Sequence, residues 1–241
     1  MDSSASSPDP YDALAPFYDL VNGEPIDRVR QLLSVLDAFA PSAASVLELG
    51  CGTGAVLAGL GSGYSLIGVD RSASMADVAR RRLPTATIIS DDLTTVRLAT
   101  TVDVVLCVLD TMNHLTALEQ WRDAVATAAQ HLASGGLFLF DVNTVERVTS
   151  LEESSPWVVD VDGGILISGV AVEGSRALWH HRLFMAAGGV EYRLVTATIE
   201  ELLIEDAVVR ELLREHFEVV DVTDVWGDDE PARQLYVARR R

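Results

Sequence analysis

The chain has 241 residues, 49% of them hydrophobic, which suits one large globular domain. It carries 18 basic and 36 acidic residues, and a formal net charge of −18 repels nucleic-acid phosphates and anionic lipid headgroups. No apolar run reaches the length of a membrane span, and the first ten residues lack the basic start and apolar centre of a signal peptide. We therefore expect a cytoplasmic protein without nucleic-acid or membrane partners, with a disordered tail over residues 1–10.

The first predicted elements alternate between helices and apolar strands. A helix begins at Pro25, and the strand "SVLEL" follows it, with a glycine turn that leads into a short helix. A second strand, "SLIGVD", ends at Asp70, and the next helix runs from about Ser72 to Pro84. This alternation favours a parallel sheet.

Three more strands continue the pattern. "ATIIS" and "VDVVLCVL" are predicted as the third and fourth strands. Thr116 and Glu119 have the spacing of a capping box for a helix that ends near Leu132, and Gly135-Gly136 turns into a fifth strand, "LFLFDV". Strands with continuous apolar runs are covered on both faces, so helices are expected on both sides of the sheet.

The pattern changes after the fifth strand. Strand-like stretches between Trp157 and Ile204 are separated by "DGG", "EGS" and "AGG" turns, as in an antiparallel meander. Asp206 is predicted to cap a short helix, and "FEVVDVTDV" and "RQLYVARR" to form two closing strands. We therefore predict one domain over residues 11–241, with residues 157–204 as a β insertion.

The two cysteines, Cys51 and Cys107, are too few for a disulfide framework. Neither the cysteines nor the five histidines have the spacing of a metal-ligand set. The sequence therefore predicts a reduced protein without a metal.

The stretch "VLELGCGTGAVL" raises the main question of ligand class. Gly50, Gly52 and Gly54 follow a buried strand, where a glycine turn lets backbone N–H groups approach a ligand. The GxGxxA pattern completed by Ala55 also occurs in dinucleotide-binding folds. However, Glu48 would repel a diphosphate and would form a charge-assisted bond with an ammonium group. The ligand implied is a nucleoside that carries an amino-acid end.

The motif "ELGCGTG" resembles the glycine-rich loop of the class I S-adenosylmethionine-dependent methyltransferases. The resemblance covers residues 11–241 in element order and is strongest from Val46 to Thr144. It implies a Rossmann-like α/β fold with a mostly parallel seven-stranded sheet. It also implies an enzyme that uses S-adenosyl-L-methionine, releases S-adenosyl-L-homocysteine, and methylates an oxygen or nitrogen of a small molecule, such as a sugar or natural-product intermediate.

Two other functions remain open at this point. A non-catalytic S-adenosylmethionine-binding protein would carry the same binding motifs, which are clearer than any catalytic set. An NAD-dependent oxidoreductase is less favoured, because of Glu48 and because no Tyr-x-x-x-Lys pattern is present.

The resemblance also implies the cofactor-binding residues. An acid at the end of the second strand, Asp70, accepts bonds from the ribose hydroxyls or caps the next helix. Either Asp92 or Asp91 of "SDDL" contacts the adenine amino group, and Met75 packs near adenine or in the core. The full set is Tyr11, Tyr18, Glu48, Gly50, Gly52, Gly54, Asp70, Arg71, Met75, Asp91, Asp92, Leu93, Cys107 and Val108.

Candidate catalytic residues follow the fourth strand and lie in the insertion. His114, in a segment resembling the "DSLNHL" of small-molecule methyltransferases, is the first candidate base, and His181 and Asp110 are the next candidates. His114 is otherwise a residue near a helix start with no chemical role.

The insertion is predicted to cover the acceptor. The alternative is that it serves only as a structural lid or as a dimer interface. The protein is predicted to be a monomer or a homodimer. The candidate acceptor residues are Asn113, Trp157, Trp179, His180 and Arg182. Because a strand alternates its faces, His180 and His181 cannot both point inward.

Overall fold

The computed structural model describes residues 10–225 and 233–241. The predicted disordered tail lies outside these residues, except for Pro10, which begins the first helix.

The helices are α1 (Pro10–Leu14), α2 (Tyr18–Asn22), α3 (Ile26–Phe39), α4 (Ala55–Leu60), α5 (Ala73–Arg82), α6 (Leu118–His131), α7 (Val145–Ser154) and α8 (Asp206–Leu213), with 3₁₀ turns at Ala15–Phe17 and Thr111–His114. The strands are β1 (Ser45–Leu49), β2 (Ser65–Asp70), β3 (Thr87–Ser90), β4 (Val102–Cys107), β5 (Leu132–Val142), β6 (Trp157–Val161), β7 (Gly164–Glu173), β8 (Arg176–Gly188), β9 (Glu191–Leu202), β10 (Phe217–Val225) and β11 (Arg233–Arg240). None of the helices in the described ranges is long and apolar enough to span a membrane.

The main sheet has seven strands in the order β10-β11-β5-β4-β1-β2-β3. Strand β11 is antiparallel to both of its neighbours, and the other neighbouring pairs are parallel. The predicted mostly parallel sheet is confirmed. The carboxyl ends of β1, β2 and β4 meet at one edge, where ligands bind in open α/β sheets.

Apolar side chains from alternate positions of the central strands form a core on each face of this sheet. Leu47 of β1 packs in a cluster with Trp121 of α6, whereas Val46 packs in a separate cluster with Leu32 of α3. Successive side chains of a strand point to opposite faces, so the two clusters lie on opposite sides. The predicted helix layers on both faces are confirmed.

Three local predictions are wrong in detail. Helix α6 begins after Ala117, whose N–H donates to Gln120 Oε1 at 3.1 Å, so the capping residues lie one position beyond Thr116 and Glu119. Asp206 is the first residue of α8 and not its cap. The predicted turn at Gly135-Gly136 lies inside β5, which pairs with β4 through a register shift.

Strands β6 to β9 form a separate antiparallel meander in the order β6-β7-β8-β9, as predicted. Its inner face carries Leu166, Leu183 and Ile199, which form one buried cluster with Leu14 of α1. The first helix therefore packs against the meander.

Candidate functional site

The glycine loop between β1 and α4 holds three glycines at positive φ: Gly50 at 76°, Gly52 at 53° and Gly54 at 75°. A Cβ at Gly50 would lie 2.3 Å from the Thr111 side chain, and one at Gly54 would meet Ala79 at 3.1 Å. A Cβ at Gly52 would meet no atom within 4 Å. Protein packing thus requires two of the glycines, and Gly52 alone faces open space.

A cavity of about 970 Å³, including its part open to solvent, lies at the carboxyl ends of β1 and β2. The structure brings these predicted cofactor residues to its wall: Tyr11, Tyr18, Glu48, Gly50, Gly52, Asp70, Arg71, Met75, Asp91, Asp92 and Leu93. We call this the first cavity.

Three predicted cofactor residues do not line the first cavity. Gly54 precedes α4 and packs against α5. Cys107 and Val108 are buried in the core, where burial raises the pKa of the Cys107 thiol well above its usual range. The Val108 carbonyl accepts a bond from Thr111 Oγ1 at 2.8 Å.

Glu48 is the buried acid of the first cavity, with 2% of its surface exposed. Burial, and then the nearby charge of Asp70, raise the pKa of the Glu48 carboxyl well above its usual range. Its Oε2 atom has no hydrogen-bond partner among the described residues. A buried carboxyl in this state is stabilised by a cation, because pairing offsets the cost of burying charge.

Asp70 fixes the glycine loop to the start of α5. Its Oδ2 accepts from the Gly52 N–H at 2.7 Å, and its Oδ1 accepts from the Ser72 N–H at 2.9 Å. Ser72 is the residue that caps α5, through a bond from the Met75 N–H. Since each carboxylate oxygen has two lone pairs, Asp70 can still accept bonds from a diol.

Asp91 and Asp92 both line the first cavity and are both exposed. Asp92 Oδ1 accepts from the N–H and hydroxyl of Thr94, at 2.8 and 2.6 Å, and Asp91 Oδ1 accepts from the Asp92 N–H at 2.8 Å. The choice between these two acids therefore stays open.

A second cavity, of about 790 Å³, adjoins the first beneath the meander. Four residues line both cavities: Tyr11, Tyr18, Leu109 and His114. The Tyr11 hydroxyl lies 3.0 Å from His114 Nε2, and the rings of Tyr11 and Tyr18 meet edge to face at 6.1 Å. These side chains form the wall between the cavities.

Four of the predicted catalytic and acceptor residues lie around the second cavity: His114, Asp110, Trp179 and His181. His181 is on the inner face of the meander, with its Nδ1 2.9 Å from Ser168 Oγ. Burial, and then His180, lower the pKa of the His181 imidazole.

The other four predicted acceptor residues lie outside the lining of the second cavity. Asn113 is fully buried, with its amide bound to the Leu202 carbonyl at 2.9 Å. His180 and Arg182 lie on the outer face of β8, because they alternate with His181. Trp157 packs against Trp179 and donates to Ser154 Oγ at 3.3 Å.

Sequence reasoning missed Glu201, which lines the second cavity and is 2% exposed. Its Oε2 accepts from Asn143 Nδ2 at 2.9 Å. Val195, Ala197 and Ile199 form the inward row of β9, and Glu201 ends that row. The signal available in the sequence was this acid, which follows apolar residues at every second position of the same strand and therefore shares their buried face.

Arg233 was also missed. Its guanidinium binds Asp110 Oδ2 at 2.8 Å and Asn143 Oδ1 at 3.0 Å, and lies 3.6 Å from Asp141 Oδ2. Burial raises the pKa of the Asp141 carboxyl to about 7, although Arg233 opposes that rise. The sequence offered no signal for this network, because its members come from three distant segments.

The network holds a strained turn at the end of β4. Leu109 and Asp110 are the two non-glycine residues with positive φ among the described residues, at 63° and 55°. The Asp110 N–H donates to Asp141 Oδ2 at 3.1 Å. Strain of this kind persists where the surroundings fix it, and here it directs Leu109 into both cavities.

One group of side chains has donors suited to a metal. Single ligand atoms of Asp110, His114 and Glu201 lie within 4.8 Å of one another. The Asp110 carboxylate already binds the Arg233 guanidinium. The absence of a metal stays a prediction.

Residues 46–136 match the family described as "Methyltransferase domain". The chain is 30% identical over 133 residues to the dTDP-3-amino-3,6-dideoxy-alpha-D-glucopyranose N,N-dimethyltransferase of Streptomyces fradiae, covering 53% of this chain and 52% of that protein. The chain thus spans about half the length of this relative.

Solved structures share the fold along the whole chain. The sugar N-methyltransferase KedS8 from Streptoalloteichus sp ATCC 53650 superposes with a TM-score of 0.81 at 22% identity, covering 100% of this chain and 96% of that one. The amino pentose methyltransferase CalS10 from Micromonospora echinaspora gives a TM-score of 0.77 at 24% identity, covering 94% and 95%. Residues 46–136 are therefore similar to a methyltransferase domain, and the chain has the Rossmann-like fold that these solved methyltransferases share.

Proposed function

We propose that the protein transfers a methyl group from S-adenosylmethionine to the amino group of a small molecule, and that a nucleotide-linked amino sugar is the acceptor. The observation that carries this proposal is the wall of Tyr11, Tyr18, Leu109 and His114 that two adjoining cavities share. A transferase needs two sites that meet at one boundary. A protein that only binds a cofactor does not require the second.

The first cavity fits S-adenosylmethionine. The open space at Gly52 admits a ligand against the backbone, and the unpartnered oxygen of Glu48 suits an ammonium group. Asp70 has lone pairs for the ribose hydroxyls. When bound there, the cofactor supplies an activated methyl group, so the chain's main tasks are to orient the acceptor and to exclude water.

The second cavity favours an amine over a hydroxyl acceptor. Glu201 and Asp110 place two carboxyl groups beside the boundary wall, near His114. Carboxylates bind an ammonium through charge-assisted bonds and can receive its proton. The names of the Streptomyces fradiae relative and of two structural neighbours specify amino-sugar or sugar nitrogen methylation, which supports the same acceptor class.

The wall residues have distinct tasks in this proposal. The rings of Tyr11 and Tyr18 exclude water from the boundary between the cavities. The Tyr11 hydroxyl orients the His114 imidazole through their 3.0 Å bond. His114 remains a candidate to receive or relay a proton there.

Two measurements test the proposal. By calorimetry, the protein should bind S-adenosylmethionine and S-adenosylhomocysteine but not NAD. By mass spectrometry, it should methylate dTDP-3-amino-3,6-dideoxy-α-D-glucopyranose and not dTDP-glucose, which carries no amine. Binding of NAD alone would favour an oxidoreductase, and cofactor binding without transfer to any amine would favour a non-catalytic protein.

Arg28 suits the phosphate groups of such an acceptor. It lines the second cavity and is half-buried, and its guanidinium has no hydrogen-bond or ion-pair partner among the described residues. Burial, and then Arg233, lower the pKa of Arg28. A bound anion would oppose both effects, because it stabilises the charged form of the Arg28 guanidinium.

Arg28→Ala should raise the KM for the dTDP-linked amino sugar about 10–150-fold, with kcat little changed, because charge-assisted bonds contribute about 1.5–3 kcal/mol. Steady-state kinetics measure this effect. Arg30→Ala is the matched control, since Arg30 lies on the same helix and pairs with Asp27 in solvent. Equal KM values for the two variants would contradict the role of Arg28.

A further inference from the structure

We propose that Glu201 binds the ammonium group of the acceptor and accepts its proton, so that the neutral amine can attack the methyl group. This inference rests on the proposed function and names a catalytic residue that lies outside every recognised motif of the sequence.

The position of Glu201 is built for such a role. Its side chain is almost fully buried in protein, yet it lines the second cavity. One carboxyl oxygen is anchored by Asn143 Nδ2 at 2.9 Å, and the same amide nitrogen also binds Asp110 Oδ2 at 2.9 Å. The carboxyl group therefore has a fixed direction beside the boundary wall.

The neighbouring groups are less suited to take the proton. Asp110 Oδ2 already accepts bonds from Arg233 and Asn143, so this oxygen is occupied by protein donors. His114 Nε2 is engaged with the Tyr11 hydroxyl. Glu201 has a single amide donor on Oε2 and makes no direct ion pair among the described residues.

The electrostatic environment makes Glu201 a strong proton acceptor for a carboxyl group. Burial, and then Asp110, raise its pKa to about 8, while Asn143, Arg233 and Trp179 oppose that rise. The other titratable groups that face it are His114, Arg147 and Tyr11. A pKa near 8 lies much closer to that of an alkylammonium than an ordinary carboxyl pKa does.

The N–H proton of the ammonium passes to the Glu201 carboxylate, which leaves an electron pair on nitrogen. That pair forms the N–CH₃ bond while the S–CH₃ bond breaks, and its electrons stay on sulfur. The product is a methylammonium group, a thioether and a protonated Glu201, which returns its proton to solvent when product leaves.

The test compares Glu201→Gln with Glu200→Gln, the neighbouring acid that pairs with Arg176 on the outer face of the same strand. With dTDP-3-amino-3,6-dideoxy-α-D-glucopyranose, Glu201→Gln should lower kcat about 100-fold or more and flatten the pH profile of kcat. Its affinity for S-adenosylhomocysteine should stay within about twofold of the parent, since Glu201 is not in the first cavity. Glu200→Gln should match the parent in all three measurements.

A second readout does not depend on turnover. In protein labelled with ¹³C at the glutamate carboxyls, the resonance missing in Glu201→Gln should titrate near pH 8 in the parent. Addition of the amino sugar to the S-adenosylhomocysteine complex should move that midpoint lower, because an ammonium stabilises the carboxylate. If the glutamine variant does not fold, Glu201→Asp identifies the same resonance, because it keeps a carboxyl group at this position but removes the labelled glutamate.

The outcomes separate the two proposals. A parent protein that methylates the amine, with Glu201→Gln equally fast at every pH, would overturn the role of Glu201 alone. An unmoved glutamate resonance on addition of a bound amino sugar would overturn it as well. A parent protein that transfers no methyl group to any amine would overturn the proposed function, and the role of Glu201 with it.

Discussion

Asp70→Ala should weaken binding of S-adenosylhomocysteine by about 1.5–3 kcal/mol, which is about 10–150-fold in the dissociation constant. The variant removes the acceptor proposed for the ribose hydroxyls. It also leaves the Gly52 and Ser72 N–H groups without their present partner, so the loop loses its support at the same time. Calorimetry at constant salt measures the change.

The matched control for this variant is Asp77→Ala. Asp77 is an exposed acid of α5 that pairs with Arg80 and does not line the first cavity. It should bind S-adenosylhomocysteine as the parent does. Parent-like affinity in a folded Asp70→Ala protein would refute the role of Asp70.

Arg233→Met should lower the free energy of unfolding by about 3–5 kcal/mol, the usual effect of removing one partner from a buried ion pair. The methionine fills a similar volume but leaves Asp110 and Asp141 without their cation. The turn at Leu109 and Asp110 would then lose part of what holds it at positive φ. Urea unfolding followed by circular dichroism measures the loss.

Arg214→Met is the control, which tests whether replacing any arginine by methionine lowers the free energy of unfolding as much. Arg214 and Glu211 form an exposed pair, with side chains 74% and 65% accessible, and such pairs contribute about 0–1 kcal/mol. Similar unfolding energies for the two variants would show that the buried network does not stabilise the turn.

Local sequence patterns were sufficient to predict the sheet and the first cavity. Alternation of apolar strands with helices indicates a parallel sheet, and the acids and glycines predicted to bind the cofactor lie at or just beyond the ends of its strands. Glu48 and Asp70 lie in two neighbouring strands, and Gly52 lies in the loop that follows the first of them, so their approach could be inferred from topology.

The second cavity depends on contacts that no local pattern reports. Asn143 joins Asp110 to Glu201, and Arg233 comes from the last strand. His180 and Arg182 point outward because of the register in which β8 pairs with its neighbours. The alternation of side chains along a strand does not by itself show which of its two faces is buried. Alternation showed only that His180 and His181 differ.

The wall between the two cavities also connects the β insertion at residues 157–204 to the first cavity. Tyr11 lies on α1, which packs against the inner face of the meander through Leu14. Removing the meander would therefore expose the helix that carries part of the first cavity. Point substitutions such as Glu201→Gln separate acceptor binding from cofactor binding more cleanly.

The same wall has a consequence for how the protein is made. Tyr11 and Tyr18 leave the ribosome well before His114 and strand β9, which line the second cavity with them. Contacts between such distant segments form slowly, because a long loop must close before they contribute. A nascent chain can fold its first strands and the glycine loop early, but the boundary between the two cavities must wait until Glu191–Leu202 has been synthesised and paired.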